Sequence, residues 1–380
     1  MLSAGDDYPI HQTAETIRHV ATSDRNFYDR YYFNLHGSSD ELFMVMGLGQ
    51  YPNLGTTDAF AVVRRGDSHR VVRASQPLAN RMDTSVGPFR IEVIEPLRRV
   101  RFVLDPTEHG ISFDLSFEGS IEAFEEPRHY IRRHGRVLFD ALRFAQTGFW
   151  SGSLRVGDEV IEVTPDRWWG TRDRSWGVRP VGEAEPAGIR GDEGQMTGMW
   201  NYAPMQFDDH SLIYCCNEHD DGSRVIEEAV RIWRDPERVA AGTSIEWLGR
   251  PEHDHTIAPG TRFVTHSVLS FPEAPGGRFQ VDVTPLTHCY LMVGTGYGID
   301  TDWRHGMYQG PELVVQGLDL DMLTDAARMF GINDNLARFE ISGPGAPRQG
   351  QVGYGLHEYF FIDTFSRYGL YGWDPALADG

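Results

Sequence analysis

Ile111-Ser-Phe-Asp-Leu-Ser-Phe-Glu118 alternates without a break: Ile111, Phe113, Leu115 and Phe117 on one side, Ser112, Asp114, Ser116 and Glu118 on the other. A period of two sends successive side chains to opposite faces of an extended chain. The stretch therefore predicts an antiparallel strand with one face in a core and one in water. Phe89, Ile91 and Val93 repeat the pattern against Arg90 and Glu92, and Phe279, Val281 and Val283 do so against Arg278, Gln280 and Asp282. Gly66-Asp67, Asp221-Gly222 and Pro275-Gly276-Gly277 supply turns between such runs. Many short strands punctuated by Gly and Pro predict an all-β sandwich or barrel.

Helix is scarce. Leu320, Leu323, Ala327 and Phe330 have helical spacing and predict one helix near 319–330 with Gly331 as its stop. A weaker one is predicted near Thr13–Ala21. Gly294-Thr-Gly296-Tyr-Gly298 lacks the following helix that a dinucleotide fingerprint needs. Phe149-Trp-Ser-Gly-Ser-Leu-Arg-Val-Gly157 is echoed by Met307-Tyr-Gln-Gly-Pro-Glu-Leu-Val-Val-Gln-Gly317 in the same order of residue types. Two β units in tandem account for this echo and for the length of 380 residues. The expected boundary gives an N-terminal domain of 1–164 and a C-terminal domain of 165–380.

Composition narrows the function. The 35 basic and 55 acidic residues leave a net charge of −20, which repels phosphate backbones and anionic lipid, so no nucleic-acid partner is expected. No apolar run approaches the ~20 residues of a membrane span. The start of the chain lacks the basic-then-apolar order of a signal peptide, so a cytoplasmic protein is expected. Lysine is absent, which removes Schiff-base and Walker-type chemistry. Cys215, Cys216 and Cys289 make neither a disulfide framework nor a zinc spacing. No Gly-x-Ser-x-Gly elbow supports a hydrolase triad.

The densest chemistry lies in Asp166-Arg-Trp-Trp-Gly-Thr-Arg-Asp-Arg-Ser-Trp-Gly-Val-Arg179, with three tryptophans, four arginines and two aspartates. Buried Trp needs a partner for its N–H, and buried Arg needs a counter-charge. Such a cluster is either a structural keystone or the polar end of a pocket. Within it, Asp173-Arg-Ser-Trp-Gly177 resembles the Asp-x-Asn/Ser-Trp-Gly motif of the carotenoid 1,2-hydratase and AttH-like group. Gly148-Phe-Trp-Ser-Gly152, Trp303-Arg-His-Gly306 and Gly353-Tyr-Gly355 are similar to phrases of the same group. The resemblance implies two tandem lipocalin-like antiparallel β-barrel domains around a hydrophobic pocket, an architecture related to Diels–Alderase-type cyclases. It further implies cofactor-independent chemistry on isoprenoid or polyketide substrates. One position departs from the group: Arg174 stands where the carotenoid hydratases typically carry His, and Arg cannot donate a proton near neutral pH.

In an extended chain Arg172, Arg174 and Trp176 share one face, and Asp173 and Ser175 the other. Asp173 is either a buried acid tuned by its neighbours or the partner of an arginine that closes a barrel. Arg172 and Arg174 either hold an oxygen of the ligand or bolt the units together. His305, beside Trp303, is a general acid or base by residue type and otherwise a turn residue. Glu358, amid the aromatics of Tyr354 to Tyr371, is a third acid or an ion-pair partner. Trp176, Trp200, Tyr202 and Trp303 are expected to bind the substrate, Trp176 and Trp200 as walls, and Trp200 and Tyr202 otherwise fill a barrel. Glu252-His-Asp-His255 has metal-like spacing, but Gly249 and Pro259 flank it and predict a solvated turn. No metal and no cofactor are expected. Together these residues predict a lyase, hydratase or isomerase for a bulky hydrophobic small molecule, or a carrier of one. A homodimer is compatible with either.

Overall fold

The computed structural model describes residues 2, 4–180, 198–298, 300–324 and 331–372. It is nearly all β, 57% strand and 3% helix. In chain order the strands are β1 Phe27–His36, β2 Phe43–Tyr51, β3 Thr56–Arg65, β4 Ser68–Pro77, β5 Ser85–Val86, β6 Phe89–Glu95, β7 Arg99–Leu104, β8 Ile111–Gly119, β9 Phe124–Glu125, β10 His129–Arg133, β11 Arg136–Val156 and β12 Glu159–Val163. They continue with β13 Trp169–Val178, β14 Gly198–Gln206, β15 His210–Glu218, β16 Arg224–Trp233, β17 Ile245–Trp247, β18 Glu252–Ile257, β19 Val264–Phe271, β20 Phe279–Tyr290, β21 Val314–Asp321, β22 Asn333–Ser342 and β23 Gln351–Ile362.

Two curled antiparallel sheets contain them, and one topology is used twice. The first sheet runs β4-β3-β2-β1-β13-β11-β8-β7-β6, and the second runs β17-β16-β15-β14-β23-β22-β20-β19-β18. Each begins with a four-strand meander whose first strand pairs with the unit's last. The tandem duplication is thus visible in strand order. The stretches that echo each other in sequence do not occupy matching strands, however: 149–157 lies in β11, and the counterpart of β11 is β22. The second echo feeds β21, which pairs with β4 at the edge of the first sheet. The boundary expected between 164 and 165 precedes β13, which hydrogen bonding places in the first sheet, between β1 and β11.

Three apolar layers hold this together. Phe33, Phe102, Phe113, Phe117 and Trp150 fill the first curl, and Met205, Phe207, Leu212, Phe271 and Phe339 fill the second. A third layer joins the outer faces, with Tyr32, Phe60, Val62 and Ala145 against Trp200, Tyr202, Ile213 and Leu356. Strands between two layers are buried on both faces, as all of β2, β14 and β15 are. β8 keeps a wet face and so alternates. In the Trp/Arg/Asp segment the glycines serve close approach. A Cβ on Gly170 would collide with the Asn34 carbonyl and lie 2.6 Å from Trp150 Nε1, which itself donates to that carbonyl at 2.8 Å.

Three local expectations change. Asp319–Asp321 belongs to β21 and Met322–Thr324 is a turn, so the helix near 319–330 does not start; 325–330 lie outside the described residues. The free edge of β4 offers backbone partners that outweigh the helical spacing of Leu320 and Leu323. Thr13–Ala21 forms bends and turns, because it presents no continuous apolar face to a neighbour. Glu252–Ile257 is a strand, with His253 and His255 buried in the second curl. No helix among the described residues is long and apolar enough to cross a membrane.

Candidate active site

A pocket opens in the layer between the two sheets, where charged side chains interrupt the apolar packing. Its empty volume, counting the part open to solvent, is about 910 Å³. The period of two assigns its walls. Tyr28, Arg30 and Tyr32 of β1, Asp173 and Ser175 of β13, and Phe139, Ala141 and Arg143 of β11 all project from the outer face of the first sheet into it. Trp200 of β14, Ile226 of β16, Glu358 of β23, and Tyr297 and Ile332 complete it from the other side, with Glu126 and His129 at one end.

Asp173 and Glu358 occupy matching places in the duplicated topology. Asp173 stands opposite Tyr32 in the β1–β13 ladder, and Glu358 opposite Tyr202 in the β14–β23 ladder. Joining the outer faces of the two units therefore brings two carboxyl groups to one pocket. Burial raises Asp173 from 3.8 to about 7; Arg143 opposes this, while Glu126 and Glu358 add to it. Asp334 lies directly across from Glu358 on β22, and burial and that neighbour raise it well above the ordinary range. Tyr32 donates to Asp334 Oδ2 at 2.5 Å, and Trp200 Nε1 donates to the Glu358 carboxylate. Arg143 is bound by Glu126, through Nε at 2.7 Å and Nη2 at 2.5 Å, and its guanidinium lies 4.1 Å from the Tyr202 ring centroid. The site therefore holds Asp173 and Asp334, both raised by burial above the ordinary carboxylate range, beside a fixed cation and aromatic walls.

Of the residues singled out from sequence, Asp173, Glu358 and Trp200 meet here. Tyr202 lies just behind, under Arg143. Arg172 projects from the opposite face of β13 between the Phe117 and Phe144 rings, where Nε donates to Gln146 at 2.8 Å and burial lowers its pKa to about 10. Arg174 pairs with Asp29 over the Tyr31 ring, and Trp176 is half-buried on the same face. His305 is a buried turn residue behind the pocket wall. Its Nε2 lies 2.9 Å from the Thr295 carbonyl, and Nδ1 accepts from Arg30 at 2.9 Å. Burial, with Arg30 and Arg179 nearby, holds its pKa well below the usual value, so it positions Arg30 as a neutral ring. Trp303 supports Arg73 at 4.5 Å, away from the pocket.

Arg30, Tyr32, Glu126, Arg143 and Asp334 were not found from sequence. The only local signal was the alternation Tyr28-x-Arg30-x-Tyr32, which mixes aromatic and charged groups on one strand face. Elsewhere, Cys216, Glu218 and His253 bring potential metal-ligand atoms within 4.8 Å of one another inside the second curl. Arg224 Nε donates to Glu218 at 2.7 Å and His253 Nε2 lies 3.2 Å from the same oxygen, so this carboxylate is already neutralised.

Two units of one topology with an acid-lined pocket between their outer faces define a tandem lipocalin-like protein. The chain belongs to a family of unknown function, DUF8625, whose model matches residues 2–369. No curated protein matches it in sequence. Among solved structures, an AttH-type protein from Nitrosomonas europaea is similar at 13% identity and TM-score 0.51, over 90% of this chain and 94% of that one. CghA in complex with Sch210972 is similar at 12% identity and TM-score 0.51, over 89% of each chain. Kievitone hydratase from Nectria haematococca is similar at 12% identity and TM-score 0.46, over 87% and 88%. The likeness is one of fold, and it agrees with the resemblance carried by the Asp173–Gly177 motif.

Proposed function

We propose that the protein is a cofactor-independent lyase, hydratase or isomerase that works by general acid–base chemistry on a hydrophobic small molecule. The observation that carries this is Asp173: a buried carboxyl raised to about 7, facing a pocket. A carrier needs apolar walls only, and burying three carboxyl groups, Glu126, Asp173 and Glu358, around its ligand would destabilise it without benefit. CghA, a structure of the same fold with a small molecule bound, is consistent with a ligand-binding architecture.

In this scheme the proton of Asp173 passes to an unsaturated carbon of the substrate. The π face of Trp200 stabilises the positive charge that develops. Glu358 then takes a proton, either from the neighbouring carbon, which completes an isomerisation, or from a water that adds to the cation, which completes a hydration. One proton leaves Asp173 and one arrives at the Glu358–Asp334 pair, so the site resets by moving a proton back. The charge of Arg143 limits the rise of the Asp173 pKa. A terpenoid, steroid or polycyclic aromatic substrate would lie against the pocket walls within the cavity of about 910 Å³ and extend through its open side.

The test compares what co-purifies with wild type and with Asp173→Asn, by mass spectrometry of extracted protein. The variant should retain a compound that wild-type protein converts to an isomer or a water adduct. If wild type returns that compound unchanged, the protein is a carrier.

A further inference from the structure

Cations at the pocket exceed the carboxylates that pair with them. Arg143 is committed to Glu126. Arg30 and Arg179 also line the pocket, and neither forms an ion pair with a carboxylate among the described residues. Arg30 is buried, with Nη1 2.9 Å from His305 Nδ1 and Nη2 3.3 Å from its Nε2, and it makes no ion pair with nearby Asp58. Arg179 packs on aromatic rings, 4.5 Å from the centroid of Tyr28 and 5.7 Å from that of Tyr297. Arg30 lies 4.8 Å from the same Tyr297 ring. Two guanidinium groups thus share one tyrosine, and the buried Nε of each has no hydrogen-bond partner. A buried N–H without a partner is costly, and two like charges on one ring repel. A negatively charged ligand oxygen in the pocket would offset the repulsion between the two guanidinium groups.

We infer that the pocket takes an organic anion. A carboxylate or acidic enol oxygen docks against Arg179 and Arg30 beside Tyr297, while the apolar skeleton lies against Phe139, Trp200, Ile226 and Ile332 and turns its reactive carbon toward Asp173. The inference rests on the proposed catalytic pocket and adds a substrate class to it. His305, held neutral by burial and by Arg30 and Arg179, accepts from Arg30 as an imidazolium could not, and keeps that guanidinium aimed.

Calorimetry with matched probes tests this, using benzoate, trans-cinnamate and 2-naphthoate beside their carboxamides at about pH 6. At least one acid should bind about tenfold or more tighter than its amide. Arg179→Gln should abolish that preference, Arg179→Lys should retain part of it, and Asp173→Asn should leave it intact. Acids binding no better than amides to wild type, or no acid binding at all, would overturn the inference whether or not the variants fold. Preference that survives Arg179→Gln would overturn it too. None of these results touches the acid–base proposal, which fails instead if Asp173→Asn converts the co-purified compound as wild type does.

Discussion

Replacing Asp173 by Asn should stabilise the fold above neutral pH even as it removes the proposed proton donor. Burial raises this carboxyl from 3.8 to about 7 in the native protein, against the pull of Arg143. In the unfolded chain it returns to the ordinary value. Between those values the unfolded state has released a proton that the native state still holds. Stability therefore falls as pH rises through the window, opposite in sign to a salt-bridged carboxylate. Below about pH 4 both states are protonated; above about 7 both are ionised and the loss is complete. A gap of about 3 pH units corresponds to about 4 kcal/mol. Asn has the shape of the protonated acid and does not titrate. Asp173→Asn should accordingly match wild type near pH 4 and exceed it progressively up to about pH 7, with a constant difference beyond. Thermal melts of both proteins across about pH 4.5–8.5 measure this as a widening gap in Tm. Tm is the suitable quantity because two packed units need not unfold in one step. Parallel curves, or an Asn variant that is less stable at high pH, would show that the native protein holds Asp173 ionised, and the proton-donor role would fall with it.

His305→Gln removes the acceptor that aims Arg30, a charged hydrogen bond of about 1.5–3 kcal/mol, so turnover efficiency should drop about tenfold or more. The pH limb near 7 should remain, because Asp173 sets it; a limb that disappears in this variant would make His305 the titrating group. Trp303→Ala should cost about 3–5 kcal/mol by denaturant melting, since it empties the space under Arg73. The surviving folded protein should bind the co-purified compound as wild type does, and weakened binding would place Trp303 in the site.

The strand class was determined by the sequence alone, because alternation is a local property of any strand with one dry and one wet face. It is visible in Ile111–Glu118 and Phe279–Val283 for that reason. It is missing from β2, β14 and β15, where Met44-Val-Met46 or Tyr214-Cys-Cys216 face apolar layers on both sides. Asp173 and Glu358 could also be picked out locally, one from a motif and one from its aromatic surroundings. Only the tertiary structure decided what they belong to. Packing the outer faces of two like sheets brings β13 and β23 together, and with them Tyr32, Glu126, Arg143 and Asp334 from distant parts of the chain. The same packing turned Arg172 and Arg174 away, since neighbours of an acid on a strand point to its other face. It also made Leu318–Asp321 an edge strand in place of a helix, because an unpaired β4 competed for that backbone. Local pattern specifies which face a residue is on; only the pairing of faces specifies what it meets.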